Sequence, residues 1–152
     1  MGYDVHPFSD DDERRLVLGG VTIEGRGLAG HSDADAVCHA VADALLGPAG
    51  LPDLGTIYPA SDDRYEGASS LALLRDVAVR VADVGWSVVN VDVVVNAETP
   101  RLAPHLEAMT DAVRAALGGA HVSITPKRGE GIGAVGRAEG IQCWAVALLE
   151  SA

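Results

Sequence analysis

The ten-residue run Ser87 to Asn96 carries six valines, and this constrains the fold more than any other stretch. Valine's branched Cβ restricts χ1 and suits the pleated surface of a sheet better than a helix. The run follows a helix end at Gly85 and stops before a Thr99-Pro100 turn, so it reads as a buried strand. Shorter strands are expected at Gly2 to His6, Val122 to Thr125 and Ile141 to Leu149. Leu16 to Leu18 and Val21 to Glu24 flank Gly19-Gly20 as a hairpin, with a loop from Gly25 to Gly30.

Between these lie three segments with helical spacing. Ala36, Val37, Ala40, Val41, Ala44 and Leu45 recur on one face, and Ser32 followed by Asp35 has the form of a capping box. Gly47-Pro48 ends this helix. A second runs from Ser69 to Val84 and a third from Leu102 to Leu117, each closed by glycine. The polar stretch Gly47 to Gly67 has no clear period and reads as a long loop with one short helical turn, a length usually kept for function. The prediction is one α+β domain over 1–152, an α/β two-layer arrangement with a mixed β-sheet and three helices packed on one face. Aromatic residues are only 4% of the chain against 48% hydrophobic, so the core is built from Ala, Val and Leu.

Charge removes one class of function. Twenty-two acidic residues against 11 basic give a net charge of -11, and no basic cluster exceeds a pair, so no nucleic acid partner is expected. No apolar run reaches the roughly 20 residues that span a bilayer; no membrane association is expected, and a cytoplasmic location is. Cys38 and Cys143 lie far apart and read as buried, reduced thiols.

The chemistry concentrates in two places. In an extended segment residues two apart share a side, so Asp4 and His6 project together while Val5 turns inward. On the first helix Asp35, His39 and Asp43 fall at i, i+4 and i+8, one polar stripe on an apolar helix. Asp4, His6 and His39 suit zinc, and three protein ligands with one open position is the catalytic arrangement. By spacing alone, a surface Asp-His pair and a hydrogen-bonded core histidine account for the same residues.

The surrounding wording is more specific: G-Y-D-V-H-P-F from Gly2, H-S-D-A-D-A-V-C-H-A-V-A-D-A-L-L-G from His31, L-P-D-L-G-T-I-Y-P at 51 to 59, N-V-D-V at 90 to 93, T-P-R-L-A-P-H at 99 to 105 and G-R-A-E-G-I at 136 to 141. The chain resembles the 2-C-methyl-D-erythritol 2,4-cyclodiphosphate synthase family over nearly its whole length. The resemblance implies zinc on Asp4, His6 and His39, and Mg²⁺ (or Mn²⁺) near Glu130 bridging the substrate's α- and β-phosphates. It implies cyclisation of 4-diphosphocytidyl-2-C-methyl-D-erythritol 2-phosphate with release of CMP, a metal-dependent phosphorus-oxygen lyase reaction of non-mevalonate isoprenoid biosynthesis. His31 and Ser32 would meet the phosphate and sugar end, with His31 and Glu130 catalytic. Asp53, Gly55 and Asp62 would line the erythritol end, and Ala97, Pro100, Arg101 and Leu102 the cytidine loop, where the side chains of Glu98 and Thr99 have no assigned part. Asp35 and Asp43 stand as supporting residues on the stripe of His39; Asp43, one turn on, could orient the His39 ring, and a solvated helix carboxylate accounts for it equally well.

Relatives form homotrimers with interfacial active sites and a central cavity able to hold an isoprenoid diphosphate, capped by an arginine matching Arg137. This chain departs from the pattern where Lys127-Arg128 replaces threonine hydroxyls, where Ala60 replaces an aspartate, and at Ala134, where a phenylalanine is common. Lys127 and Arg128 could hold a phosphate through charged donors. Two competing readings are a non-catalytic trimeric isoprenoid-diphosphate-binding relative, and a structural zinc completed by a fourth protein ligand such as Cys38.

Overall fold

The computed structural model describes residues 1–152. Strands β1 (Gly2–Pro7), β6 (Gly140–Ser151), β4 (Trp86–Asn96) and β5 (His121–Lys127) form one sheet in the order β1-β6-β4-β5, while β2 (Leu16–Leu18) and β3 (Val21–Ile23) form a separate hairpin. Only β4 and β5 run parallel; β1 with β6 and β6 with β4 are antiparallel, so the sheet is mixed, as expected. Helices α1 (Ala36–Leu46), α3 (Ser70–Asp83) and α4 (Leu106–Ala116) contact the sheet on one side, with short α2 (Leu54–Ile57) and α5 (Gly133–Gly136) between elements.

The valine run behaves as two faces. Val91, Val93 and Val95 are buried against the helices, while Asn90 and Asp92 are exposed on the other face. That second face carries no helix, and Tyr3, Val5, Val146 and Leu148 stand exposed on it. The expected direction of Val5 is therefore reversed: it points outward, and Asp4 and His6 point toward α1. Gly2 explains the reversal, since a Cβ there would stand 2.0 Å from the carbonyl oxygen of Ala40. Strand β1 sits directly on α1 along its even-numbered positions.

Three boundaries differ from the sequence expectation. The capping box is not formed: the N-cap of α1 is Asp35, whose carboxylate accepts from the amides of Val37 and Cys38. The first turn of the third helix winds as a 3₁₀ segment over Ala103–His105 before α4 begins. The long loop contains α2, capped by Asp53, and a 3₁₀ turn over Asp63–Tyr65.

Candidate metal centre and phosphate cavity

Strand β1 and helix α1 bring three side chains to one point. His6 Nε2 lies 2.9 Å from Asp4 Oδ2, His39 Nδ1 lies 3.1 Å from the same oxygen, and the two ring nitrogens are 3.1 Å apart. Each ring's other nitrogen faces an oxygen. His6 Nδ1 donates to the carbonyl of Ala29 at 2.7 Å, and His39 Nε2 meets Ser70 Oγ at 2.8 Å. With those outer nitrogens carrying the protons, two lone pairs and a carboxylate oxygen converge, an arrangement that repels itself until a cation enters.

The separations suit a small divalent ion, since tetrahedral bonds of about 2.0–2.1 Å set ligand atoms roughly 3.3 Å apart. The donor set of two imidazoles and one carboxylate suits zinc. Only three His, Cys, Asp or Glu residues join the cluster, which leaves a position open. Cys38 is not among them: it is fully buried, and burial pushes its thiol pKa well up. The structural-zinc reading thus lacks its fourth ligand. Burial works to raise the Asp4 carboxyl pKa, but hydrogen bonds and charge from His39 and His6 outweigh it and hold Asp4 far below the usual range. Burial works to lower the His6 pKa, and Asp4 reverses that to a net rise.

The triad opens on a cavity of about 250 Å³, also lined by His31, Ser32, Asp43, Gly55, Tyr58, Ala60 and Tyr65. His31 and Ser32 do not sit at a helix N-terminus, because α1 starts four residues after Ser32. Arg14 holds their loop instead. Its guanidinium donates to the carbonyl oxygens of Leu28, of Gly30 at 2.8 Å and of Ser32 at 2.5 Å. His31 Nε2 donates to the backbone carbonyl of Asp62 at 3.0 Å.

Several expected site residues stand elsewhere. Asp35 is fully buried and turned away from the cavity, because its carboxylate oxygens accept from the amides of Gly19 at 2.8 Å and Gly20 at 2.6 Å in the β2–β3 turn. Asp43 lines the cavity but makes no hydrogen bond to His39; it accepts from the Leu54 amide at 2.8 Å and so anchors α2. Ser70 is the residue on His39. The Asp53 carboxylate is exposed and engaged by the Thr56 amide and hydroxyl at 3.0 and 2.9 Å. The Asp62 carboxylate is paired with Arg64 at 2.6 Å, and Arg137 with Glu139 at 2.6 Å.

A second cavity of about 470 Å³ holds the remaining candidates: Ala97, Pro100, Arg101 and Leu102 on one wall, Lys127, Arg128 and Glu130 on the other. A single chain does not bring Glu130 into the cavity of the metal triad. Glu98 has a part after all. It forms an ion pair with Arg128 across this cavity, which holds its carboxyl pKa below the ordinary range. Lys127 and Arg101 make no ion pair. Glu130 adopts a left-handed backbone, φ 53°, beside Gly131, unusual for a residue with a side chain.

Sequence reasoning missed Ser70, Asp33, Arg14, Glu98, Tyr58 and Tyr65. None has a spacing that signals a site; Ser70 lies 31 residues from the histidine that it touches.

The YgbB family model matches residues 1–150. The chain is 52% identical over 151 residues to a bifunctional enzyme IspD/IspF of Anaeromyxobacter dehalogenans, covering 98% of this chain and 39% of that protein. It is 52% identical over 156 residues to the 2-C-methyl-D-erythritol 2,4-cyclodiphosphate synthase of Rubrobacter xylanophilus, covering 100% of this chain and 94% of the relative. The chain thus spans about two fifths of the length of the bifunctional relatives and nearly all of the single-function ones. Among solved structures, the bifunctional IspDF of Campylobacter jejuni is similar with a TM-score of 0.93 and 34% identity, over 99% of this chain and 41% of that one. The Plasmodium falciparum IspF CDP complex is similar with a TM-score of 0.84 and 29% identity, over 99% and 93%. The chain belongs to the YgbB family, that of the 2-C-methyl-D-erythritol 2,4-cyclodiphosphate synthases.

Proposed function

We propose that this chain cyclises 4-diphosphocytidyl-2-C-methyl-D-erythritol 2-phosphate to 2-C-methyl-D-erythritol 2,4-cyclodiphosphate, releasing CMP. The 2-phosphate oxygen bonds to the β-phosphorus as the bond from that phosphorus to the oxygen of the α-phosphate breaks; no water enters. The observation that carries this reading is the convergence of Asp4 Oδ2, His6 Nε2 and His39 Nδ1, 2.9–3.1 Å from one another, on an open cavity, in a chain half identical to relatives so named.

Asp4, His6 and His39 would hold zinc, and Glu130 Mg²⁺ or Mn²⁺; such ions act as Lewis acids and as templates for bridging phosphates. The chain's own task is to fold a flexible polyanion onto itself, which is positioning and electrostatics. His31 and Ser32 would face the phosphate and sugar end, and Asp53 and Gly55 the diol, with Asp62 fixing His31 through its carbonyl. Lys127, free of any acid, would hold the nucleotide's phosphate, joined by Arg128 when it leaves or shares Glu98. Ala97 to Leu102 would bind the cytidine, in line with the CDP complexes solved for relatives.

A homotrimer would complete the site by setting one chain's triad against another's Glu130 cavity. The helix-free sheet face with Tyr3, Val5, Val146 and Leu148 exposed supports such an interface. No helix is long and apolar enough to cross a membrane. Arg137 would cap a central cavity able to take an isoprenoid diphosphate. A non-catalytic relative would rest on the departures at Lys127-Arg128 and Ala60, and is outweighed by the presence of the triad, His31 and Glu130 together in one chain.

The test is to supply the purified protein with the cytidyl substrate, Mg²⁺ and zinc. CMP and the cyclic diphosphate should appear in equal amounts, whereas no CMP release with both metals present overturns the proposal.

A further inference from the structure

We propose that Ser70, held by Asp33, is the positioning residue of the metal centre and fixes His39 as the tautomer that points its Nδ1 lone pair at Asp4 and His6. The inference rests on reading the triad as a cation site.

The proton count favours this assignment. The Asp33 carboxylate can only accept. It takes the Ser70 amide at 3.1–3.2 Å and the Ser70 hydroxyl proton as well. With its proton committed, Ser70 Oγ faces His39 Nε2 at 2.8 Å with lone pairs alone, so Nε2 must supply the hydrogen. Ser32 Oγ, 3.2 Å from both His39 Nε2 and Ser70 Oγ, accepts from the Ala34 amide at 3.1 Å and is free to donate to Ser70. Every donor then has an acceptor.

The opposite tautomer is worse served. Ser32 Oγ at 3.2 Å could turn its proton to a bare Nε2 and Asp4 could accept from Nδ1–H at 3.1 Å, but Nε2 would still face the lone pairs of Ser70 at the shorter 2.8 Å, and the N–H would occupy the space between Asp4 and His6 where a cation belongs. Ser70 is 1% exposed, so water cannot substitute. Its place as the first residue of α3, after the Ser69 N-cap, ties the ring's orientation to a helix that supplies no ligand itself. Partners of this kind on ligating histidines typically change metal affinity 10- to 100-fold when removed.

Two measurements on the purified full chain test this. Long-range nitrogen–proton correlation spectra of the metal-free protein at pH 8 read His39 directly. The expected pattern is Nε2–H, and an Nδ1–H pattern overturns the proposal without any variant. Zinc affinity by chelator competition then compares wild type with Ser70→Ala and Asp33→Asn. Ser70→Ala is expected to bind zinc about 10- to 100-fold more weakly with an unchanged far-UV spectrum. Asp33→Asn, whose amide can donate to Ser70 and turn the hydroxyl proton toward His39, should weaken zinc as well and raise the share of Nδ1–H. Zinc binding by Ser70→Ala within twofold of wild type would overturn the positioning role. A wild type that takes up no zinc while His39 stays Nε2–H would sink the metal reading and leave the tautomer assignment standing.

Discussion

Replacing Asp35 with alanine separates the two meanings that its position allows. Its carboxylate accepts four amides: Gly19 and Gly20 in the hairpin turn, and Val37 and Cys38 in the first turn of α1. Loss of the N-cap costs about 1 kcal/mol, and each orphaned hairpin amide adds about 1–3 kcal/mol. Relief of a fully buried charge offsets part of this, since burial pushes the Asp35 carboxyl pKa up in spite of its four donors. A net loss of about 3–5 kcal/mol remains, a large share of a typical domain's stability. With a urea slope of about 2 kcal/mol/M, the midpoint of unfolding should fall by about 2 M. The sign of the pH dependence follows from the raised pKa. Asp35's contribution is fully present below the ordinary carboxyl range and shrinks as pH rises through its folded value, so the gap between wild type and variant should narrow from pH 4 to pH 7. Zinc affinity of the folded variant should stay at the wild-type value. A midpoint shift below about 0.5 M, or weakened zinc with stability intact, would refute the structural role and return Asp35 to the metal site.

Tyr58, which walls the triad's cavity, donates to Asp76; burial and that carboxylate push its pKa up to about 12. The difference in alkaline absorbance at 295 nm between wild type and Tyr58→Phe should titrate near that value, and Asp76→Asn should bring it toward 10; its stabilisation is lost as pH climbs between these values. A midpoint near 10 in the folded wild type would mean that the contact is absent. In the second cavity, Glu98→Gln removes the acid that competes with phosphate for Arg128, so KM for the cytidyl substrate should fall by about two- to fivefold with kcat unchanged. A rise in KM would show that the pair braces the cavity wall.

The fold was largely legible because its signals are local. Valine-rich strands, helical spacing and glycine stops identify every long element to within a few residues. The candidate metal triad was legible only in part: period two pairs Asp4 with His6 and His39 lies on a strongly periodic helix, but spacing alone fits a surface pair and a core histidine as well, and the resemblance of the surrounding motifs decided between them. Failures came where a pattern has more than one physical solution. Ser32 and Asp35 fit a capping box, yet Asp35 caps from its own position because the hairpin amides fix its carboxylate there. Period two cannot say which face of β1 is covered, so Val5 came out reversed. Ser70 and Asp33 reach His39 only through tertiary packing, and the pairing of Glu98 with Arg128 spans 30 residues.

Gly2 shows how a residue with no side chain can set the dimensions of a candidate metal centre. Two of the proposed ligands ride on a strand and the third on a helix, and what separates the two supports is the width of a hydrogen atom, since any carbon at Gly2 would strike the backbone of Ala40 and Ala44. The glycine ahead of D-x-H therefore acts as a spacer gauge: enlarging it would pry the supports apart and slacken the grip on a cation. A survey of positions where substitution loses the ion should return residues that own no donor atom, and the working motif at this N-terminus is G-x-D-x-H.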